Sequence, residues 1–314
     1  MRVIVTGCCG FVGSALTKLL TTLGVEVIGI DNFDETYSPK LKEYRYNQIK
    51  SLSNFDFVRG SIFFLHHMGV EADGIIHLAA RAGVSQSVKN PEKYWYWNIS
   101  DCADTLEWAR KKSGRWWLFA SSSSVYSGLP APHTEDLRLT PSTPYAATKL
   151  MGEMMGENYA RLYGVDGMAL RLFSVYGPAG RPDSRASVYR WTEQLLNHQT
   201  VTVGDAPQSR RDFTYIDDVV MAFWQAANVL QEHSTTWDVI NIGNSDPQPL
   251  ATVVDKLATL CDYKNYRVEY GDLQTPLTWA TNDKAKSILN WKAQTSLEQG
   301  LFETVEWHKE YMNW

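Results

Sequence analysis

Residues 3–14 read Val3-Ile4-Val5-Thr6-Gly7-Cys8-Cys9-Gly10-Phe11-Val12-Gly13-Ser14. A short apolar run passes through three spaced glycines straight into an amphipathic stretch, the pattern of a strand joined to a helix by a tight turn. Gly7 permits the turn, Gly10 lets backbone N–H groups approach a pyrophosphate, and Gly13 lets the helix pack closely on the sheet. The phosphate charge then sits at the positive end of the helix. The spacing is G-x-x-G-x-x-G rather than the more usual G-x-G-x-x-G. Asp31 follows the next apolar run, about 20 residues on, where a carboxylate accepts hydrogen bonds from adenosine ribose hydroxyls and repels a 2′-phosphate. The expected cofactor is therefore NAD rather than NADP.

Working outward, apolar runs at 2–5, 26–30, 55–58, 74–78, 116–120 and 167–172 read as buried strands, and 11–23, 91–112 and 145–163 as helices. Such alternation implies right-handed crossovers and a parallel sheet covered on both faces. The expected class is α/β, a Rossmann-type doubly wound parallel sheet. From about residue 175 the candidate strands are short and scattered (201–203, 213–215, 239–242, 266–270), with helices at about 217–231, 250–260 and 296–311. The expected organisation is an NAD-binding domain over 1–175 and a smaller α/β substrate-binding lobe over 176–314, partly interleaved with the first.

Composition sets outer limits. The 314 residues are 44% hydrophobic and 21% charged, an ordinary globular balance, with a formal net charge of -5. A mildly acidic chain without a basic stretch offers no footprint for nucleic acid or an anionic membrane, though a few placed arginines can still hold a phosphate-bearing ligand. No apolar run approaches the ~20 residues of a membrane helix, and the apolar start is too short for a secretion signal. Cys8, Cys9, Cys102 and Cys261 have neither disulfide-framework nor metal-ligand spacing, so free thiols in a reducing cytoplasm are expected and no metal is. Helices 91–112 and 145–163 carry large side chains on more than one face (Trp95, Trp97, Trp108; Met151, Met154, Met155, Tyr159), which points to a homodimer through a four-helix contact.

A second signature follows the fifth strand: Ser121-Ser122-Ser123-Ser124-Val125-Tyr126, then Tyr145-Ala146-Ala147-Thr148-Lys149. Tyr145 and Lys149 are four apart and share one helix face. An ammonium beside a phenol favours the phenolate and makes Tyr145 a usable proton acceptor. A serine hydroxyl from the strand end can hydrogen-bond the same substrate oxygen.

With these residues the chain resembles the extended short-chain dehydrogenase/reductase family, in its NAD-dependent epimerase/dehydratase branch. The resemblance rests on Gly7, Gly10, Gly13, Asp31, His77-Leu78-Ala79-Ala80, Ser122, Tyr145 and Lys149. It continues through Arg171-Leu172-Phe173-Ser174-Val175-Tyr176-Gly177-Pro178, Arg211-Asp212-Phe213-Thr214-Tyr215-Ile216-Asp217-Asp218, Asn241-Ile242-Gly243-Asn244 and Gly271-Asp272. Within the branch, Ile30-Asp31-Asn32, Tyr37-Ser38-Pro39-Lys40-Leu41-Lys42, Ala82-Gly83-Val84, Asn90-Pro91 and Tyr176-Gly177-Pro178-Ala179-Gly180-Arg181-Pro182-Asp183 look like UDP-glucuronate 4-epimerases. The resemblance implies a catalytic set of Ser122, Tyr145 and Lys149. It implies NAD contacts from Gly7, Gly10, Phe11, Val12, Gly13, Asp31, Asn32, Ser61, Leu78, Ala79, Ala80 and Asn98, besides Tyr145 and Lys149. For a UDP-sugar it implies Ser123, Ser124, Asp272, Arg211 at the diphosphate and Arg181 at the sugar carboxylate; a loop ion pair with Asp183 is the plainer reading of Arg181.

The chain also departs from that pattern. Ser122 stands where many relatives have threonine, and Ser61 where an aspartate usually reads the adenine. Ser85-Gln86 replaces a common Arg-Tyr, and Arg81 replaces a neutral residue.

In the family Tyr145's counterpart takes the proton of the sugar 4-hydroxyl as the C4 hydride passes to NAD. A dehydratase then needs a general acid and base beside the serine, where relatives place Asp-Glu and this chain has Ser123 and Ser124. A decarboxylase resembles a glutamate-bearing version of the same turn. An epimerase needs neither, so 4-epimerisation of UDP-glucuronate fits best. The alternatives are a UDP-glucose or UDP-N-acetylglucosamine 4-epimerase, a decarboxylase or dehydratase, and a non-catalytic NAD-binding protein of the same fold.

Overall fold

The computed structural model describes residues 1–314 except 68, 113–114, 183–186, 208, 234–235, 274–276 and 313–314, with backbone only at 64, 66–67 and 272–273. The strands of its main sheet are β1 (Arg2–Thr6), β2 (Glu26–Asp31), β3 (Phe55–Arg59), β4 (Gly74–His77), β5 (Trp116–Ser122), β6 (Asp166–Leu172) and β11 (Asp238–Ile242). They lie in the order β11-β6-β5-β4-β1-β2-β3, every neighbouring pair parallel. The helices are α1 (Phe11–Thr22), α2 (Pro39–Ile49), α3 (Val84–Lys89), α4 (Pro91–Arg110), α5 (Pro144–Tyr163), α6 (Val188–Leu196), α7 (Ile216–Glu232), α8 (Leu250–Leu260), α9 (Asp283–Leu289) and α10 (Leu297–Tyr311). Besides short 3-10 helices at Ile62–His67 and Ser123–Tyr126, three two-stranded ribbons are present: β7 (Val175–Tyr176) with β10 (Thr214–Tyr215), β8 (Val201–Asp205) with β13 (Val268–Leu273), and β9 (Arg210–Asp212) with β12 (Pro247–Pro249). No described helix is long and apolar enough to cross a membrane.

Alternation along the strands explains why helices cover both faces. Val3, Val5 and Val27 pack with α1 and α7, whereas Ile4, Ile28 and Ile75 pack with α4 residues Cys102, Leu106 and Trp108. Both sets are buried, so the strands read as continuous apolar runs rather than alternating ones. Glycines make room for the largest side chains. A Cβ at Gly156 would lie 2.2 Å from the Trp237 ring, and one at Gly74 would lie 2.1 Å from Trp116. The strand order reverses between β1 and β4, and ligands bind in the crevice that opens at the carboxyl ends of strands flanking such a point.

Behind that crevice sits a buried ionic network. Glu153 on α5 accepts from Arg171 Nε (2.9 Å) and Nη2 (2.7 Å) and from the Ser121 hydroxyl. Arg171 also donates to the Tyr126 hydroxyl at 2.6 Å, which in turn donates to Asn241 at 2.8 Å. The network ties β5, β6, β11 and α5 into one block just below Ser122. Removing one partner leaves the other charge buried and unmatched. Glu153→Ala should therefore cost about 3–5 kcal/mol in a urea unfolding titration; a loss below about 1 kcal/mol, the size of a surface pair, would show that the network is solvated.

Candidate functional site

At the end of β1, Gly7 adopts φ +71°, and a Cβ there would stand 3.0 Å from the Ala79 backbone. A Cβ at Gly13 would stand 2.0 Å from the Gly7 carbonyl oxygen, so only glycine lets α1 sit this close to the strand end. No side chain caps α1 at Gly10. The first amides of a helix have no intrahelical acceptor, and here they open onto the crevice as an anion cradle. The Asp31 carboxylate is fixed by two backbone donors, Cys9 N at 3.0 Å and Phe33 N at 2.8 Å. Lys42 Nζ lies 3.6 Å away, a neighbour that the sequence reading did not assign. The cradle, the carboxylate and the glycine-only approach fit a dinucleotide.

Thr6 joins this half to the next. Its hydroxyl accepts from Leu78 N and Ala79 N, both at 3.2 Å, so its one proton goes to His77 Nδ1 at 2.9 Å. Burial lowers the His77 pKa to about 3, which keeps the imidazole neutral and fit to accept. Ser61 Oγ accepts from Phe63 N at 3.3 Å, and Asn32 Oδ1 from Asp34 N at 2.9 Å.

Tyr145 and Lys149 lie on the first two turns of α5, whose N-cap Thr143 accepts from Ala146 N. Lys149 Nζ donates to the Ala120 carbonyl at 2.8 Å and lies 5.9 Å from the centre of the Tyr145 ring. Burial lowers its pKa to about 8. The Tyr145 ring meets Tyr94 edge-on at 6.3 Å, and the Tyr94 hydroxyl is held by the Ala82 and Gly83 carbonyls. Ser122 ends β5 with its hydroxyl accepting from Ser124 N at 3.2 Å. The Ser124 hydroxyl is buried with no partner among the described residues.

One cavity of about 820 Å³ is lined by Gly7, Gly10–Gly13, Asp31, Asn32, Ser61, Leu78–Ala80, Ser122–Ser124, Tyr145, Lys149, Arg181 and Arg211. Sequence positions more than 200 residues apart thus meet in one space. Asn98 is the exception among the expected cofactor contacts: it stands behind the wall, bonded to both Arg81 backbone groups (2.8 and 3.0 Å) and to Thr148 (3.0 Å). Its amide splints the loop after β4 to α5 instead of lining the cavity. Arg211 pairs with buried Asp205 at 2.8 Å, so its charge is already matched. The Arg181 guanidinium lies 5.3 Å from the centre of the Tyr37 ring. Asp183 and the Asp272 side chain lie outside the described residues. The sequence reading missed Arg45, Asp34 and the reach of Arg81, whose guanidinium pairs with Asp34. The Arg81 departure was visible, but its partner, 47 residues away, was not.

The model of the family described as NAD dependent epimerase/dehydratase matches residues 3–243. The chain is 36% identical over 317 residues to a UDP-glucuronate 4-epimerase of Thermodesulfobacterium geofontis (strain OPF15), an alignment covering 98% of this chain and 96% of that one. It is similar in structure to the UDP-glucuronic acid 4-epimerase of Bacillus cereus in complex with UDP-glucuronic acid and NAD (TM-score 0.91, 30% identity, 99% and 100% of the two chains covered). A UDP-glucose 4-epimerase of Thermotoga maritima with UDP-glucose is also similar (TM-score 0.87, 28% identity, 99% and 100% covered).

The buried ammonium has a consequence for stability. Lys149 titrates near 8 in the fold against an ordinary 10.5. Between those values the unfolded chain binds more protons at this site, so stability from this group rises with pH, and below about 8 it is flat. The stability of the wild-type chain minus that of Lys149→Met, from urea titrations, should climb by about 3 kcal/mol from pH 8 to 10.5. A difference that stays level or falls would show that Lys149 is not a desolvated cation.

Proposed function

The chain belongs to the NAD dependent epimerase/dehydratase family, and on that premise we propose an NAD-dependent UDP-glucuronate 4-epimerase, interconverting UDP-glucuronate and UDP-galacturonate through a 4-keto sugar. The observation that carries this choice is the make-up of the cavity wall, where Ser122–Ser124 supply hydroxyls and no carboxylate while Arg181 lines the same space. When bound, NAD supplies the acceptor that takes the C4 hydride and returns it. Tyr145 takes the 4-hydroxyl proton and gives it back, with Lys149 one turn along favouring the phenolate. Ser122 holds the same oxygen. Elimination of water would need an acid and a base beside Ser122, and the hydroxyls of Ser123 and Ser124 are poor at both. The unpartnered Ser124 hydroxyl supports a sugar-binding role for this turn.

A 4-keto uronate is a β-keto acid, prone to lose CO2. A bidentate guanidinium fixes the carboxylate plane, and Arg181 in that role keeps the C–C bond from aligning with the ketone π system. Arg211 serves the diphosphate from its pair with Asp205, and Asp272 adds a contact to the nucleotide sugar. Free cysteines at all four positions support a reducing, cytoplasmic setting. The large side chains on α4 and α5, with Tyr96 66% and Met154 61% exposed, support a two-fold homodimer that pairs both helices.

Product analysis by NMR across a panel of UDP-sugars tests the assignment. Wild-type protein should epimerise UDP-glucuronate with no net reduction of nicotinamide. Arg181→Ala should weaken the uronate by about 2–5 kcal/mol while leaving bound NAD unchanged, and should release some pentose product. Preference for UDP-glucose, or full uronate activity in that variant, would end the uronate assignment. For the assembly, light scattering at micromolar protein should report a dimer; a monomer refutes it.

A further inference from the structure

Arg45 is a charged residue that is only 1% exposed and has no carboxylate partner among the described residues. It sits on α2, three residues beyond Lys42, so both share a helix face. Its fork is nearly filled. Nε and Nη2 donate to the Ala179 carbonyl at 3.0 and 2.6 Å, Nη2 donates to the Gly180 carbonyl at 2.9 Å, and Nη1 donates to the Tyr37 hydroxyl at 2.6 Å. Those two carbonyls immediately precede Arg181, and Ala179 is held at φ +55°, a conformation that a side-chain-bearing residue rarely adopts unaided.

Tyr37 carries the link further. Its ring centre lies 5.3 Å from the Arg45 guanidinium carbon and 5.3 Å from that of Arg181, with Lys42 Nζ at 5.6 Å. Arg45 therefore sets both the backbone before Arg181 and the ring beside its guanidinium. Helix α2 is itself held from behind. The Tyr44 hydroxyl accepts from Trp307 Nε1 at 2.9 Å, and the Tyr44 ring packs edge-on against Trp307 and Tyr311 of α10. A fixed helix, a multidentate grip on the loop and a shared aromatic ring make Arg181 a pre-oriented donor rather than a mobile surface arginine. Burying a cation costs free energy unless its donors are filled, and here the loop carbonyls and the Tyr37 hydroxyl fill all but one of them.

We propose that Arg45 is the positioning residue of the carboxylate site: it does not reach the ligand, but holds the 179–180 carbonyls and Tyr37 so that Arg181 meets a sugar carboxylate at fixed geometry. The inference rests on the uronate reading above.

A double-mutant cycle tests it. KM and kcat for UDP-glucuronate are measured in wild type, Arg45→Met, Arg181→Ala and the double variant, with the Kd of UDP, which lacks the sugar carboxylate, and bound NAD as controls. Arg45→Met should raise KM for the uronate about tenfold or more, with the UDP Kd and NAD content within about twofold of wild type. The double variant should be no worse on the uronate than Arg181→Ala. Additive losses, or equal losses for the uronate and UDP, overturn the proposal. If Arg45→Met does not fold, Tyr37→Phe removes one Arg45 acceptor while keeping the ring; it should raise KM for the uronate a few-fold and spare UDP, and an unchanged KM overturns the proposal. If Arg181→Ala alone leaves the uronate unaffected, it is the uronate reading that fails, whatever Arg45→Met does.

Discussion

No side chain fits between Gly13 and the Gly7 carbonyl, where even a Cβ would come within 2.0 Å. That contact seats α1 on the end of β1 and aims its unsatisfied amides at the crevice. It also fixes where the crevice is, because β1 stands between β2 and β4 at the point where the sheet order reverses. The Asp31 carboxylate arrives from one side and the Leu78–Ala80 backbone from the other, tied back to β1 through Thr6. The chemistry of Tyr145 and Lys149 has meaning only because α5 delivers them to the same opening.

Charge is distributed unevenly around that opening. Lys149 is buried over the Phe119 ring with a carbonyl as hydrogen-bond partner, and its pKa is pulled down by burial. Lys42, Arg45 and Arg181 gather around Tyr37, with Asp31 the carboxylate paired with Lys42. The carboxylates of Asp205 and Glu153 are already taken by Arg211 and Arg171. Groups of one sign brought together in a partly dry cavity raise the affinity for an anion, which suits a ligand bearing a diphosphate and a carboxylate.

Much of this was legible because the physics there is local. The glycine loop, Asp31, and Tyr145 with Lys149 are spaced by the geometry of one turn or one strand–helix unit, and the main strands announce themselves as apolar runs. Helix α2 was not found because its buried face includes Lys42 and Arg45, so PKLKEYRYNQI shows no apolar stripe. Strand β10 was expected at 213–215, but its partner β7 and the ribbon β9/β12 are two and three residues long, too short for any period to register. Asn98 was expected at the cofactor from the family resemblance alone, whereas its partners are set by how α4 meets α5. Arg211 was expected at the diphosphate, and its partner six residues earlier was not foreseen, since the turn from β8 into the three-residue β9 that brings them together carries no local signal.

The same helix explains how two distant motifs act as one site. Lys42 touches the carboxylate expected to hold the cofactor ribose, and Arg45, one turn along, grips the loop that carries Arg181. A rigid helix that contacts both cannot shift to suit one without moving the other. Its opposite side is packed against α10 by Tyr44, so adjustment by tilting is also opposed. An enzyme that must turn a keto sugar over inside its cavity cannot rely on a tight grip on the whole sugar. It needs fixed points outside the turning ring: the nucleotide at one end, the dinucleotide below, and a guanidinium of fixed orientation to receive the carboxylate that the ring carries. Anchoring the last of these to the element that also borders the dinucleotide keeps their separation constant while the ring between them moves.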